Sequence, residues 1–335
     1  MKNFTYFQPR SVDAAIGLLD GTWGRTEILA GGTSLMDLLK ESIAKPDRIV
    51  SLSGIPGQEL NHITRDDDAK VIGIGARVEI ARIAENPVLR ELFPGLTAAA
   101  AALGSPQIRN MGTLGGNLCQ RNTCWYFRDA HVPCLLKGGK KCFATEGENQ
   151  YHAIFTKGHP CVIVHPSSLA PALIALNATA HVRGNQGERL VPLSQFFQAP
   201  SKADQREHVL APNEVLTRVT IPMAGLSNAT YEIRQKQAHD WPLVQAAVSF
   251  RRVNGRASQV KIVLGYVAPT PYIVVKAAET LEGKEINEAT ATDAGKAAVE
   301  GATPLSQNGY KVKLAEVAVK RAILIAAGAK RYWEA

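Results

Sequence analysis

The chain has 335 residues and a formal charge of +8, with 45% hydrophobic and 20% charged residues, 28 glycines and 18 prolines. That mixture argues against a disordered tail, a collagen-like repeat and a coiled coil. The length leaves room for about two domains of roughly 150 residues each, with a core that needs no disulfide staples. No apolar run reaches the roughly 18 residues of a membrane helix, so no membrane span is expected.

The opening Met1-Lys2-Asn3-Phe4-Thr5-Tyr6 carries one lysine and no apolar segment. No secretory signal is expected, and the chain reads as cytoplasmic, or periplasmic if a partner bearing a signal exports it. The basic residues are scattered rather than run together. The charge therefore reads as a solvated basic surface, and no nucleic-acid partner is expected.

Taken in order, Ser11 can cap a helix over 11–19, with apolar Ala14, Ala15, Leu18 and Leu19 at helical spacing. A strand at 27–30, a Gly31-Gly32-Thr33-Ser34 turn, a helix at 35–40 and a strand at 49–52 follow. The Pro/Gly cluster at 53–57 predicts a subdomain boundary. A second unit begins with a strand at 71–76, a helix from 79 and an Ala-rich helix at 96–103, stopped by Gly104-Ser105-Pro106. After a second glycine turn at 112–117 and a cysteine-bearing stretch, regular structure is expected at 162–164 and in an apolar helix at 169–176. Strands are expected at 180–183 and 219–222. The third unit starts near Ala229. Strands at 244–253 and 259–267 flank an Asn254-Gly255-Arg256 hairpin turn, and helices are expected at 272–282 and 311–327. The class is α+β with three subdomains, at 1–57, 58–225 and 226–335.

Two features carry chemistry. The first is the pair of glycine turns. Gly31-Gly32-Thr33-Ser34 lies between a strand and a helix, so its backbone can approach a ligand closely and the helix presents free N–H groups beyond it. These are the parts of a diphosphate cradle, although the segment is not G-x-G-x-x-G and lacks a Walker lysine. In the second turn, Thr113 and Asn117 can hydrogen-bond phosphate or a ring, while Gly115 and Gly116 permit close approach. Two such turns favour a nucleotide cofactor.

The second feature is the cysteines. All five fall at Cys119, Cys124, Cys134, Cys142 and Cys161. An odd number in a long chain is a poor disulfide framework. The gaps match no standard local zinc or ferredoxin motif. Zinc, an iron–sulfur cluster and ordinary buried cysteines all stay open on spacing alone. Trp125, Tyr126, Phe127 and Phe143 could exclude water from a cluster, and Lys137, Lys140 and Lys141 could supply charge. His131, His152, His159 and His165 lie nearby as weaker metal-ligand candidates. No Ser-His-Asp order, H-E-x-x-H or assignable carboxylate pair is present, so the chemistry is expected to belong to cofactors.

With His165-Pro166-Ser167-Ser168-Leu169-Ala170-Pro171-Ala172-Leu173 and Gly265-Tyr266-Val267-Ala268-Pro269-Thr270-Pro271, the glycine turns form an ordered set over nearly the whole chain. That set resembles the FAD-binding medium subunit of the xanthine dehydrogenase/aldehyde oxidase/carbon monoxide dehydrogenase family. The resemblance implies a two-subdomain FAD-binding domain of the PCMH/vanillyl-alcohol-oxidase-like kind and a C-terminal α+β domain of CO dehydrogenase flavoprotein type. It implies FAD contacts from Leu29, Ala30, Gly31, Gly32, Thr33, Ser34, Leu35, Thr113, Gly116, Asn117 and Leu216, with Trp241 covering the flavin ring. Two positions depart from the commoner pattern: Ser168 stands where many relatives have Asp, and Glu232 falls near a flavin-side Lys. Both put the usual polar contacts in doubt.

The insertion at 119–164 resembles the subgroup whose flavin subunit carries an extra [4Fe-4S] cluster, as in aldehyde oxidoreductase and 4-hydroxybenzoyl-CoA reductase. By that resemblance Cys124, Cys134, Cys142 and Cys161 are the ligands and Cys119 is spare. The implied partners are a molybdenum cofactor-binding large subunit, a [2Fe-2S] small subunit and an external electron acceptor. The rival expectations are a stand-alone flavin oxidase and a zinc-stabilised nucleic-acid binder.

Overall fold

In the computed structural model, which describes residues 1–329, three sheets form in the order the chain runs. The first joins β1 (Thr5–Phe7), β2 (Thr26–Leu29) and β3 (Arg48–Ser51) in parallel, in the order β1-β3-β2. Parallel neighbours need crossovers, and the helices Val12–Ile16 and Leu35–Lys40 lie in them. The first starts where expected, with Ser11 Oγ accepting from Ala14 N, but ends at Ile16 rather than at 19.

The second sheet is antiparallel, in the order β4-β5-β8-β6-β7. Its strands are β4 (Ile63–Asp66), β5 (Val71–Gly75), β6 (Thr179–Gly184), β7 (Gly187–Pro192) and β8 (Val215–Pro222). Between β5 and β6 the chain leaves the sheet for helices Ile80–Glu85, Pro94–Ala102, Leu114–Cys119 and Leu169–Ala175, and for the cysteine segment. Ile72, Ile74, Leu96, Leu173 and Val219 are buried together in this core. The third sheet, order β12-β11-β10-β9, comprises β9 (Ser227–Ile233), β10 (Val244–Val253), β11 (Arg256–Gly265) and β12 (Tyr272–Ile273). The β10–β11 hairpin turns on Asn254 and Gly255, at φ +49° and +78°. Positive φ at both central residues is what a tight hairpin demands and Asn-Gly tolerates. Helices Val275–Leu281, Glu288–Ala298 and Tyr310–Ala326 complete this unit. Among the described residues no helix is long and apolar enough to cross a membrane.

Several local expectations change. The segment 112–117 is not a free turn. Thr113 Oγ1 accepts from Gly116 N and starts the Leu114–Cys119 helix, because Gly115 can lie against Ala76, where a Cβ would stand 2.9 Å from the Ala76 side chain. Residues 162–164 run without regular structure. Tyr272–Ile273 pairs with β11, so the expected helix begins only at Val275. The Glu288–Ala298 helix was not anticipated, although Asn287 and Thr290 form a capping box that the sequence displays. Residues 330–335, the end of the expected third unit, lie outside the described residues.

Lys311 ties the third unit to the cysteine segment. It is 1% exposed, and its Nζ donates to the carbonyls of Tyr266 (2.6 Å), His152 (2.9 Å) and Tyr151 (3.2 Å). Burial pushes its ammonium down to about 7. Lys311→Met leaves these carbonyls without that donor, and a loss of about 3 kcal/mol is expected at neutral pH, at roughly 1–3 kcal/mol per group left unsatisfied. Between about pH 7 and the ordinary lysine value near 10.4, the unfolded chain binds a proton that the folded chain has released. This group therefore makes stability rise with pH across that window. Denaturant midpoints for the two chains should diverge with rising pH; parallel curves would refute the assignment.

Candidate functional site

The first glycine turn is shaped by its neighbours. Gly32 sits at φ +78°, and a Cβ on Gly31 would lie 1.8 Å from the Met111 carbonyl oxygen. The turn thus lies directly against the residues that lead into Thr113, which brings the two glycine segments together. They form the waist of one long cleft. One half is walled by Ala30, Gly31, Gly32, Leu35 and Leu216, the other by Asn117, Ser168, Arg234 and Trp241, and Thr33, Ser34, Thr113 and Gly116 belong to both. The halves hold about 170 and 460 Å³ of water-accessible space, and as one continuous cleft they fall within the range of small-ligand sites. Leu29 walls neither half: its Cδ1 would lie 3.4 Å from a Cβ on Gly32. At the waist, Ser34 Oγ is buried without a hydrogen-bond partner among the described residues. An orphaned hydroxyl beside close-approach glycines suits a phosphate oxygen.

The far end of the first half holds charges that sequence reasoning missed. The Arg206 guanidinium lies 3.6 Å from the Glu27 carboxylate and 4.6 Å from the centre of the Trp23 ring. Burial raises the Glu27 carboxyl above its usual range, opposed by Arg206 and Arg121. Burial also pushes Arg206 down to about 10, which leaves it charged at neutral pH. Arg121 pairs with fully buried Glu207 at 2.8 Å, so the two acids and two bases balance. At the other end, Asn117 Oδ1 accepts from Ser167 Oγ at 2.6 Å, and Ser168 Oγ lies 2.7 Å from Tyr266 OH. Glu232 is buried in an ion pair with Arg234, and it is Arg234 that reaches the cleft wall. Trp241 is 50% exposed at the rim, 6.3 Å from the Tyr266 ring.

The cysteines separate into four and one. Cys124, Cys134, Cys142 and Cys161 surround a small cavity with Phe127, Leu136, Phe143 and Ile163. Cys119 instead lines the glycine cleft, where burial pushes its thiol up to about 12. Backbone N–H groups lie beside all four sulfurs: those of Tyr126 and Phe127 at Cys124, Leu136 and Lys137 at Cys134, Ala144 and Val162 at Cys142, and Ile163 alone at Cys161. The Cys142 thiol is drawn down to about 5, chiefly by the Cys161 thiol that donates to it, while Cys161 is held up by the same bond and by burial. His152 Nε2 lies 3.2 Å from Cys124 Sγ. Lys137, expected to supply charge, donates to the carbonyls of Tyr126 and Asp129, and Lys141 lies over the Phe143 ring. His131 and His159 are exposed, and His165 is packed on Phe197. Among the described residues no group of three or more His, Cys, Asp or Glu side chains is arranged to hold a single metal ion.

Comparison with known proteins places these features. Residues 2–224 match the FAD binding domain in molybdopterin dehydrogenase, and residues 229–326 match the CO dehydrogenase flavoprotein C-terminal domain. The chain is 30% identical to the aldehyde oxidoreductase FAD-binding subunit PaoB of Escherichia coli, over 94% of this chain and 96% of that one. It is 29% identical to the carbon monoxide dehydrogenase medium chain of Hydrogenophaga pseudoflava, over 96% of each. The solved carbon monoxide dehydrogenase of H. pseudoflava superposes with a TM-score of 0.76 at 26% identity, over 97% of this chain and 98% of that one. Quinoline 2-oxidoreductase from Pseudomonas putida 86 gives 0.75 at 26% identity, over 98% and 99%. The chain belongs to the FAD-binding medium-subunit family of the xanthine dehydrogenase, aldehyde oxidase and CO dehydrogenase type.

Proposed function

We propose that this chain is the FAD- and [4Fe-4S]-containing electron-transfer subunit of a molybdenum hydroxylase of the aldehyde oxidoreductase type. It takes electrons from a partner's [2Fe-2S] centres and passes them to an external acceptor. A molybdenum cofactor-binding large subunit completes the assembly. For the flavin, the carrying observation is the continuous cleft with two glycine segments at its waist and the orphaned Ser34 hydroxyl beside them. The residues from Ala30 to Leu35, with Thr113, Gly116 and Asn117, hold the dinucleotide there, and Leu216, Ser168 and Trp241 bound its two ends. For the cluster, the support is four thiols around one apolar cavity, each with at least one backbone N–H beside it, since hydrogen bonds to sulfur and exclusion of water are the protein's levers on such a centre. FAD supplies two-electron chemistry that can also proceed one electron at a time, and the iron–sulfur centre supplies one-electron transfer.

The reading is tested by anaerobic mixing with an aldehyde. The flavin band should bleach in the assembled complex and stay unbleached in the isolated chain. Bleaching of the isolated chain by an aldehyde or alcohol would favour a stand-alone oxidase instead.

The same reading gives His152 a positioning role. Its backbone is fixed by Lys311 and Asn308, which donate to its carbonyl, and burial pushes its imidazole down to about 4, so the ring is neutral at pH 7. Nε2 lies beside Cys124 Sγ and the ring also meets the Asn149 backbone, so His152→Leu should change the midpoint potential of the centre at full iron content, and an unchanged potential would remove that role.

A further inference from the structure

A buried polar chain underlies the Trp241 end of the cleft. Glu232 and Arg234 form an ion pair whose side chains are 7% and 10% exposed. Ser168 Oγ lies 2.7 Å from Tyr266 OH, which donates to the Pro166 carbonyl at 3.0 Å. The Ser168 hydroxyl also lies beside the Glu232 carboxyl, and Ser168 and Arg234 both wall the cleft. Burial raises the Glu232 carboxyl above its usual range, against the Arg234 guanidinium and the Ser168 hydroxyl, which draw it down. Tyr266 also faces this carboxyl, and burial keeps its phenol protonated. A carboxyl raised in this way is better matched to giving and taking a proton near neutral pH.

A separate recess opens to solvent where β9 meets the helix Pro94–Ala102. It holds about 530 Å³ of water-accessible space, and its walls include Ala98, Ala99 and Ala102 of the helix and Thr230, Glu232 and Arg234. Strand register fixes which side chains turn toward that helix. Asn228 on β9 binds the start of the helix, with Oδ1 accepting from Gly95 N at 2.9 Å and Nδ2 donating to Leu92 O at 3.1 Å. Residues two apart share a face of a strand, so Thr230 and Glu232 lie on the same face as Asn228. The neighbouring strand agrees: Glu232 stands opposite Gln245, whose Nε2 donates to the Ser168 carbonyl at 2.7 Å. Thr230 Oγ1 is buried with no hydrogen-bond partner among the described residues, which suits a water entering from the recess. Glu232 thus stands between the recess and Ser168, and Ser168 stands between Glu232 and the cleft.

We propose that Glu232 is a proton relay for the flavin, passing protons between the recess and the cleft through the Ser168 hydroxyl. The proposal rests on a flavin occupying the cleft. Reduction of a flavin by two electrons, which the partner's [2Fe-2S] centres supply, takes up at least one proton, and reoxidation releases it. The Ser168 hydroxyl gives its proton to a ring nitrogen as it takes one from the Glu232 carboxyl. Water in the recess then returns a proton to the carboxylate. On reoxidation the same transfers run in reverse. The Arg234 guanidinium stabilises the carboxylate while its proton is away.

The test uses the whole chain, purified anaerobically with its flavin in place and mixed rapidly with reduced methyl viologen, which gives up an electron and no proton. A pH-indicator dye in weakly buffered solution follows proton uptake, and the flavin band is read on the same sample, with both rates taken per flavin bound. In the parent chain, uptake should keep pace with bleaching. Glu232→Gln keeps the shape of the side chain without an acid and should slow uptake at least tenfold. Ser168→Ala leaves the Glu232–Arg234 pair in place and should do the same. Glu232→Asp retains an acid and should be faster than Glu232→Gln. Uptake at the parent rate in flavin-loaded Glu232→Gln or Ser168→Ala would overturn the relay. Equal slowing by Glu232→Asp and Glu232→Gln would give Glu232 a packing role and overturn it as well. A parent chain that holds no flavin would instead overturn the reading of the cleft, and the relay with it.

Discussion

Gly31→Ala should yield a chain that retains no flavin. The new methyl would sit 1.8 Å from the Met111 carbonyl oxygen, 2.7 Å from its carbon and 3.1 Å from Gly112 Cα. All three are backbone atoms, so no side-chain rotation relieves the overlap, and one of the two glycine segments must retreat. Those segments form the waist of the cleft, so the change widens the cleft where Thr33, Ser34, Thr113 and Gly116 converge. Flavin bound per chain should fall at least tenfold, on the order of the 1.4 kcal/mol that each decade of affinity represents. The measurement is flavin content after gel filtration, with a Gly57→Ala control, because a Cβ at Gly57 meets nothing within 4 Å. Stoichiometric flavin in Gly31→Ala would show that the approach of the two segments does not govern binding.

The second large effect separates the cysteines. Cys161→Ser should bring iron from about four per chain to a small fraction of that, because a four-thiolate centre loses a ligand. Cys119→Ser should keep full iron, since Cys119 lines the cleft rather than the cavity. A Cys161→Ser chain with parent iron, or a Cys119→Ser chain without it, would refute the assignment of the four. Iron and acid-labile sulfide assays on the two variants decide it, and flavin content serves as the folding control.

What could be read in advance was what neighbours in sequence determine. The strand–glycine–helix run at 27–40 and the Asn254-Gly255 hairpin depend on dihedrals that a few residues fix locally, and both formed as expected. The second glycine segment was misread as a turn because its helix is defined by a contact with Ala76, nearly forty residues away. The grouping of four cysteines came from family resemblance. Their gaps were too long to reveal that Cys134 and Cys142 return to Cys124 and Cys161, and the amides aimed at the sulfurs leave no trace in side-chain identity. The Glu27, Arg206 and Trp23 group was invisible for a similar reason: a loop after β7 brings Arg206 back to the first sheet. Leu29 and Glu232 were considered through the family resemblance alone; here Leu29 lies beneath the first turn, and Arg234 reaches the cleft wall.

The central claim is that one chain holds both a flavin and a four-iron cluster. Its most direct test is the visible spectrum of anaerobically purified protein, with flavin, iron, sulfide and zinc measured on the same sample. The account predicts flavin bands over a broad iron–sulfur absorption, with one flavin and about four iron and four sulfide per chain. Flavin with no iron would contradict the cluster, and a colourless zinc protein would contradict both cofactors.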